Sequence, residues 1–384
     1  MRLLPEVRRH GVVPALELPY DGGVAAVPFL LAGAMTPIEA RAGYPVLQRN
    51  AYLNAGSVGP LSQRTFEAMQ SAEKAALENG RSGMSVSEGA AANETALRER
   101  IAALLHVPRE TIALTTSTTE GCNLVVTALR LTPDDEVVTT DGEHPGLLMP
   151  LLASGARIKQ AGVMERHAGD ALAAILSEVT PRTRLVALSH VLWLNGHVLP
   201  LGEIKRATNL PLLVDGAQSV GAIPVDASVA DWYTVSGQKW LCGPETTGAL
   251  YVGDQERLRP QIQSYAASAR TDAGRLALVH LAPAMVAGLL AAVEDFPDWG
   301  FGRAAGLVAR CREALLAAGV EVRTEAGQGT LVSFRVPGDP AAAVKSAEER
   351  QIVIRNLPDG WLRASIGWWN DEADIARLVG FISG

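Results

Sequence analysis

The chain has 384 residues, 48% of them hydrophobic, so it is long enough to bury a large core and to form one large domain and a smaller one. Its 34 basic and 41 acidic residues give a formal net charge of −7, which argues against a nucleic-acid-binding protein because neutralising phosphates requires a basic surface. The cysteines Cys122, Cys242 and Cys311 are odd in number and widely spaced, so we expect a cytoplasmic protein without a disulfide framework or a metal site.

Residues 1–34 include an apolar run, GGVAAVPFLLAGA at 22–34, that loosely resembles a secretory signal. Glu17 and Asp21 precede this run and Pro28 interrupts it, which favours the alternative of a poorly ordered extension. No segment is long and apolar enough for us to expect a membrane span.

From about residue 97 the pattern alternates between helical stretches and short apolar runs. The predicted strands are 112–115, 136–140, 157–162, 184–189, 211–215, 232–236 and 248–252. Strands that are apolar throughout and separated by helices predict a mainly parallel seven-stranded sheet of the α/β class, covered on both faces.

The pattern changes after about residue 255 and predicts a smaller α+β domain. Its expected elements are helices at 281–295, 303–318 and 340–350, strands at 330–336, 352–356 and 361–366, and a helix from about 371, preceded by a loop of small residues at 264–275. We therefore expect a large domain over 50–260 and a small domain made of 35–49 and 275–384.

Two polar motifs follow predicted strands and suit an anionic, aromatic ligand. The run TTSTTEG at 115–121 opens a helix and offers hydroxyls and backbone N–H groups to a phosphate. An ordinary helix cap has the same sequence pattern. Asp215, at the end of the run LLVD, supplies a carboxylate that can pair with a protonated ring nitrogen, although it could simply cap a turn.

Two further motifs supply a nucleophile and an aromatic ring. Lys239, in SGQKWLCGP, becomes a usable nucleophile if it is desolvated, and His144, in DGEHPG, can stack on a flat cofactor and exchange protons, so both are predicted catalytic residues. Taken alone, Lys239 could be an ordinary surface lysine and His144 an ordinary loop histidine. Because all four motifs lie at carboxyl ends of strands in one sheet, together they predict an enzyme that holds pyridoxal 5'-phosphate (PLP) as a Schiff base on Lys239.

The segments TTSTTEGCN, DGEHPGL, SHVLWLNGHVLPL, VDGAQSVGAIPVD and SGQKWLCGP resemble the class V aminotransferase family of fold-type I PLP enzymes. The resemblance covers about residues 50–384 and is strongest to the L-cysteine/cystine C-S lyases, whose N-terminal glycine segment is similar to AYLNAGSVGPLS. It implies a fold-type I architecture, PLP as the cofactor, a small amino-acid substrate and a homodimer.

The resemblance also implies a role for each site residue. The residues implied to contact the cofactor are Thr118, Thr119, His144, Trp193, Asp215, Gln218, Ser236, Gln238 and Lys239. Lys239 would carry the cofactor and move protons, Asp215 would pair with the ring nitrogen, and Gln218 would reach the ring hydroxyl. Arg363 would grip the substrate carboxylate, for which a planar guanidinium is suited, with Arg355 as the less favoured candidate.

Two positions depart from the commoner pattern of the family. Gln238 stands where histidine often precedes the lysine, so this contact to the phosphate would lack a charge. Trp193 stands where many desulfurases have asparagine, and the cystine lyases share this tryptophan. The second departure favours the lyases.

The expected reaction follows from a missing nucleophile. A cysteine desulfurase needs a reactive cysteine on a mobile loop of the small domain, yet 312–384 contains none and Cys311 falls in a predicted helix. β-Elimination needs no such cysteine and would convert a sulfur amino acid into pyruvate, ammonia and a sulfur product. An aminotransferase, an amino-acid epimerase and a desulfurase-like enzyme remain alternatives, whereas an inactive homologue is disfavoured because Lys239 and Asp215 are both present.

Overall fold

The computed structural model describes residues 35–260 and 262–384, and a seven-stranded sheet forms its centre. The predicted extension at 1–34 lies outside the described residues. Within them the strands are β1 (Ala51–Tyr52), β2 (Ile112–Thr115), β3 (Glu136–Thr140), β4 (Arg157–Ala161), β5 (Thr183–Ser189), β6 (Leu212–Asp215), β7 (Trp232–Ser236), β8 (Gly248–Val252), β9 (Glu321–Val322), β10 (Leu331–Arg335), β11 (Ile352–Val353), β12 (Arg355–Asn356) and β13 (Leu362–Ser365). The helices are α1 (Pro37–Ala42), α2 (Gln63–Asn79), α3 (Met84–Leu105), α4 (Thr118–Leu129), α5 (Pro145–Ala153), α6 (Ala171–Ser177), α7 (Leu201–Thr208), α8 (Ala266–Ala269), α9 (Pro283–Glu294), α10 (Gly300–Ala317), α11 (Pro340–Glu349) and α12 (Glu372–Ser383).

The central sheet has the strand order β2-β8-β7-β6-β5-β3-β4, and every pairing is parallel except those of β8 with β2 and β7. Strands β2, β3, β6, β7 and β8 are buried at every residue. Burial on both faces explains their uninterrupted apolar character. The predicted mainly parallel seven-stranded sheet is confirmed.

The sheet brings the carboxyl ends of its parallel strands to one edge, where ligands bind in open α/β sheets. Ser189 and Asp215, the last residues of β5 and β6, are direct register partners. Ser236 and Thr115, the last residues of β7 and β2, both pair with Gly248 at the start of the antiparallel β8. Polar residues from distant parts of the chain therefore share one short edge.

A four-stranded antiparallel sheet, in the order β12-β13-β10-β9, forms the second layer of strands and packs with α10, α11 and α12. The predicted single strand at 352–356 is wrong. Strand β11 pairs in parallel with β1, whereas β12 pairs with β13 in the second sheet. The chain changes partners at the buried Ile354, and an apolar run does not reveal which neighbouring strand receives its hydrogen bonds.

The small-residue loop predicted at 264–275 also contains more structure than expected, namely α8 and a 3-10 turn at Ala273–Leu276. Asp371 caps α12 and accepts a hydrogen bond from Asp374 N, as its place before the helix predicts. Among the described residues, no helix has the length and apolar character needed to cross a membrane.

The segment before β1 is attached to the C-terminal part of the chain through Arg41. Its guanidinium makes a two-point ion pair with Asp374, with Nη1–Oδ2 at 2.8 Å and Nη2–Oδ1 at 3.0 Å, and also donates to Trp369 O at 2.8 Å. Residues 35–384 pack as one unit. The predicted division into a large and a small domain stays a prediction.

We expect Arg41→Ala to lower the free energy of unfolding by about 3 kcal/mol, because it would leave the carboxylate of Asp374, whose side chain is only 2% exposed, buried without its partner. Arg64→Ala is the control, because Arg64 is 51% exposed in its ion pair with Glu294 and its loss should cost about 0–1 kcal/mol. Urea unfolding followed by circular dichroism measures both. Equal shifts in the two variants would contradict the assignment.

Candidate active site

Lys239 lies in the turn after β7, and Gly59 packs against the backbone of this turn. Gly59 N donates to Gln238 O at 2.7 Å, and a Cβ at Gly59 would approach Lys239 O to 2.1 Å, so only glycine fits this contact. Burial lowers the pKa of Lys239 to about 8; Asp215 opposes this shift, and the positive charges of Arg363 and Arg355 add to it. The amine therefore loses its charge above about pH 8, well below the ordinary range for lysine, and the uncharged form is what a nucleophile or base requires.

Asp215 is 2% exposed at the end of β6. Its Oδ1 accepts hydrogen bonds from Ala217 N at 2.9 Å and Thr234 Oγ1 at 3.3 Å. Within the described residues its Oδ2 has no donor and the carboxylate has no ion-pair partner. A buried carboxylate with one free oxygen is suited to a cationic ring nitrogen supplied by a ligand.

His144 caps the N-terminus of α5, where its Nδ1 accepts from Gly146 N at 3.0 Å. This hydrogen bond leaves the ring proton on Nε2. The imidazole meets the indole of Trp193 edge-on, with ring centroids 5.1 Å apart. Burial lowers the pKa of His144, and Lys239 is the largest positive charge that contributes to the shift, so the two predicted catalytic side chains share one electrostatic environment.

The start of α4 has the features predicted for a phosphate site. Ser117 Oγ accepts from Glu120 N at 3.1 Å, whereas the N–H groups of Thr118 and Thr119 have no acceptor among the described residues. A Cβ at Gly146 would come within 2.7 Å of Thr119 Oγ1, so this helix end lies beside the start of α5. Ser236, buried at the end of β7, faces the same edge.

The two glutamines already have partners. Gln218 donates through Nε2 to Gly56 O at 2.8 Å and accepts through Oε1 from Trp240 Nε1 at 3.0 Å, which leaves one amide hydrogen for a ring hydroxyl. Gln238 accepts through Oε1 from Thr246 N at 3.2 Å, which leaves its amide nitrogen for a phosphate. Their assigned cofactor contacts stay predictions.

Two arginines face each other on neighbouring strands without an acid between them. Arg363 is fully buried, donates through Nη1 to Trp193 O at 3.0 Å, and has no partner for Nε among the described residues. Arg355 is its register partner and donates to Ser57 Oγ at 3.1 Å. Burial and the charge of Arg355 lower the pKa of Arg363 to about 9. Opposed like charges are destabilising, so the pair is arranged for an anionic ligand.

The sequence alone assigned no role to Gly56 and Ser57, which lie over these arginines within the segment AYLNAGSVGPLS. A Cβ at Gly56 would stand 2.7 Å from Arg363 Nη2, and Ser57 Oγ lies 3.5 Å from the same nitrogen and donates to Asn54 Oδ1 at 2.8 Å. The signals in the sequence were the run of small residues after β1 and its similarity to the glycine segment of the C-S lyases. The sequence alone also assigned no role to Glu143, a buried carboxyl beside His144.

The three cysteines are free, buried and unsuited to nucleophilic chemistry. Burial raises the pKa of Cys122 and of Cys242 well above the usual thiol range and that of Cys311 to about 12. The thiolate is the reactive form, so none of these thiols is activated. Cys311 packs inside α10, as predicted.

Comparison with known proteins identifies a family and several relatives with similar sequences. The aminotransferase class-V family matches residues 51–271. Isopenicillin N epimerase from Streptomyces clavuligerus is 32% identical over 242 residues, 56% of this chain and 56% of that protein. Cysteine desulfurase CsdA from Escherichia coli (strain K12) is 31% identical over 231 residues, 56% of this chain and 57% of that protein. The chain thus spans little more than half the length of the curated relatives it matches.

Solved structures extend the likeness to nearly the whole fold. The complex of the cystine C-S lyase C-DES with its reaction product cysteine persulfide has a TM-score of 0.83 and 29% identity, over 88% of this chain and 99% of that chain. A C-DES mutant with glycine covalently linked to the PLP cofactor gives the same TM-score of 0.83 over 89% of this chain. The predicted fold class, that of the fold-type I PLP enzymes, is confirmed. Because the family match over residues 51–271 covers more than half of the 384 residues, the chain belongs to the aminotransferase class-V family.

Proposed function

We propose that this protein is a PLP-dependent lyase that eliminates the sulfur group from a cysteine- or cystine-like amino acid. One observation carries the proposal: the buried Arg363 has no acidic partner among the described residues, and its charge adds to the effect of burial in lowering the pKa of Lys239, so a carboxylate-binding group lies near a deprotonatable amine. An α-amino acid presents the matching carboxylate beside the carbon from which a proton must be removed.

The residues at the sheet edge suit PLP by their chemistry. The free Oδ2 of Asp215 would pair with the ring nitrogen, the N–H groups and hydroxyls of Thr118 and Thr119 would hold the phosphate together with Ser236, and the His144 ring would stack on the cofactor. PLP, when bound, supplies an aldehyde that condenses with amines and a ring that stores the electron pair left at the substrate α-carbon.

The chain's own residues supply orientation and proton transfer. Arg363 would bind the substrate carboxylate in two-point geometry, with its position fixed by the bond to Trp193 O at 3.0 Å. Lys239, uncharged above pH about 8, would take the proton from the α-carbon. Departure of the sulfur group from the β-carbon with its bonding electrons, followed by hydrolysis, yields pyruvate, ammonia and the sulfur product.

Elimination is favoured over desulfuration by the state of the cysteines. A desulfurase must form a persulfide on a reactive thiol, and all three thiols of this chain are buried with raised pKa values. C-DES, which matches over most of the fold, is a cystine C-S lyase. Transamination and epimerisation are the remaining alternatives. Epimerisation is kept because one relative is named isopenicillin N epimerase.

The second arginine indicates the substrate class. Arg355 lies opposite Arg363, its Cζ is 5.6 Å from the centroid of the Trp193 ring, and it has no acidic partner within the described residues. A substrate with a second carboxylate would neutralise both guanidinium groups, which an amino acid with one carboxylate cannot do. Cystine has two carboxylates, one at each end.

A homodimer in the cytoplasm belongs to the same proposal. Phe66, Met69 and Met285 line an open apolar groove between α2 and α9, and Phe66 is 43% exposed, which is suited to burial against a second copy. Arg270 of the loop at 264–275 forms an ion pair with Glu94 of its own chain. Light scattering on purified protein should give twice the 40.5 kDa of one chain; a mass of one chain would refute the dimer.

Purified, PLP-loaded protein given L-cystine should release pyruvate and ammonia in equal amounts, because elimination and hydrolysis yield one of each. Lys239→Ala should abolish turnover while leaving the fold intact by circular dichroism, because it removes the base without disturbing the sheet. Alanine together with protein-bound persulfide would show desulfuration instead. A normal cofactor absorbance without pyruvate would refute the lyase and leave transamination and epimerisation.

The two arginines should differ in their effects on substrates. Arg363→Leu should reduce kcat/KM at least about 100-fold for both L-cystine and β-chloro-L-alanine, because each carries an α-carboxylate. Arg355→Leu should reduce it about 10-fold or more for L-cystine only, because β-chloro-L-alanine has no second carboxylate. Equal losses on both substrates in Arg355→Leu would contradict the second carboxylate site without touching the reaction type.

A further inference from the structure

Glu143 is a buried carboxyl that the proposed mechanism leaves unused. It follows β3 in the loop that ends at His144, and it is 6% exposed. The buried acids Glu136 and Asp374 each have an arginine, whereas Glu143 has no ion pair with any described residue. A buried acid without a cation is costly when ionised, so its presence requires an explanation.

The carboxyl group ties two strands of the sheet together. Its Oε1 accepts from Thr140 Oγ1 at 2.6 Å, and its Oε2 accepts from Ser189 N at 2.9 Å and Ser189 Oγ at 2.6 Å. Thr140 ends β3 and Ser189 ends β5, so Glu143 fixes the loop of His144 against the neighbouring strand. The side chain of Glu143 thereby positions the imidazole that would stack on the cofactor.

Glu143 also lies next to the carboxylate predicted to face the cofactor ring. Ser189, which donates twice to Glu143, is the direct register partner of Asp215. The acidic groups that bear on Glu143 are Asp215 from β6 and Cys122 from α4, and the pKa of Cys122 is raised by burial and by both carboxylates. His144 turns its Nδ1 to Gly146 N, so it does not neutralise the carboxyl. Two carboxylates therefore share one buried region in which neither forms an ion pair with a described residue, and Lys239 is the cation whose charge bears on Asp215.

We propose that Glu143 is a positioning residue of the cofactor site that keeps a proton, hydrogen-bonded to the hydroxyl of Thr140 or Ser189, while Asp215 has no ion-pair partner, and releases it to solvent when a ring nitrogen pairs with Asp215. The inference rests on the proposed function because PLP would supply that cation. Burial, together with the charge of Asp215, raises the pKa of Glu143 to about 7 despite three favourable hydrogen bonds. A positive charge at Asp215 would remove part of this penalty by Coulomb attraction, so binding and proton release are linked.

The first test uses protein without cofactor and measures thermal unfolding from pH 5 to pH 8. A carboxyl whose pKa is raised on folding loses stability as pH rises from its unfolded value of 4.5 through about 7, because the folded state resists ionisation. Glu143→Gln lacks this loss but keeps the acceptor oxygen for Ser189. The difference in Tm between Glu143→Gln and the parent protein should therefore grow in favour of the variant with rising pH.

Thr140→Val is the matched variant. It removes one donor to Glu143, together with the acceptor of Gly142 N, and leaves the charge unchanged; the overall stability should fall, but the pH at which stability is lost should move upward rather than disappear. A difference in Tm between Glu143→Gln and the parent that stays constant from pH 5 to pH 8 would show a merely structural role and overturn the proposal.

The second test is calorimetric titration with PLP at pH 6.5 in two buffers of different ionisation enthalpy, which counts the protons released. The parent protein should release roughly 0.7 proton more than Glu143→Gln. Equal counts would overturn the inference alone, because PLP binding itself would stand. If PLP does not bind the parent protein, the proposed function fails, and the pH dependence without cofactor still decides the state of Glu143.

Discussion

Burial of charged groups that have no ion-pair partner among the described residues is the constraint on which the rest of this structure depends. Within the part of the chain that the structure describes, Arg363 is completely buried without an acidic partner, one carboxylate oxygen of Asp215 accepts no hydrogen bond, and burial lowers the pKa of Lys239 to about 8. Such groups destabilise a folded chain unless a ligand compensates them. Asp215 and Lys239 come from the carboxyl edge of the central sheet and Arg363 comes from β13 of the antiparallel sheet, and their accumulation in one region is the physical basis for assigning a function to it.

Close backbone contacts hold these charged groups in position. Gly56 and Gly59 bring the segment after β1 against Arg363 and the Lys239 carbonyl, where a Cβ would collide at 2.7 Å and 2.1 Å respectively. The carbonyl of Trp193, itself a hydrogen-bond acceptor for Arg363, lies in a loop that Ser333 Oγ contacts at Leu194 O, 2.6 Å away. The central sheet and the antiparallel sheet thus hold the site jointly, and neither could do so alone.

Geometry also separates reactions that share the same cofactor contacts. Buried thiols with raised pKa values disfavour persulfide chemistry, and the paired arginines favour a substrate with two carboxylates. Glu143 adds a further distinction, since a protonated carboxyl next to Asp215 would make cofactor binding depend on pH near neutrality. These features reside in packing and charge rather than in any motif.

Much of the fold could be read from the chain, because short buried strands alternating with helices leave a periodic apolar pattern, and Lys239, Asp215 and His144 stand at the ends of such strands. Membership of the class V family is carried by those local motifs. The opposition of Arg355 and Arg363, the contacts of Gly56 and Ser57, and the crossing of the chain from β1 to the second sheet after Ile354 were decided only by the tertiary structure. They are set by pairing and burial between segments far apart in the chain, and such long-range contacts leave no local periodicity in the sequence.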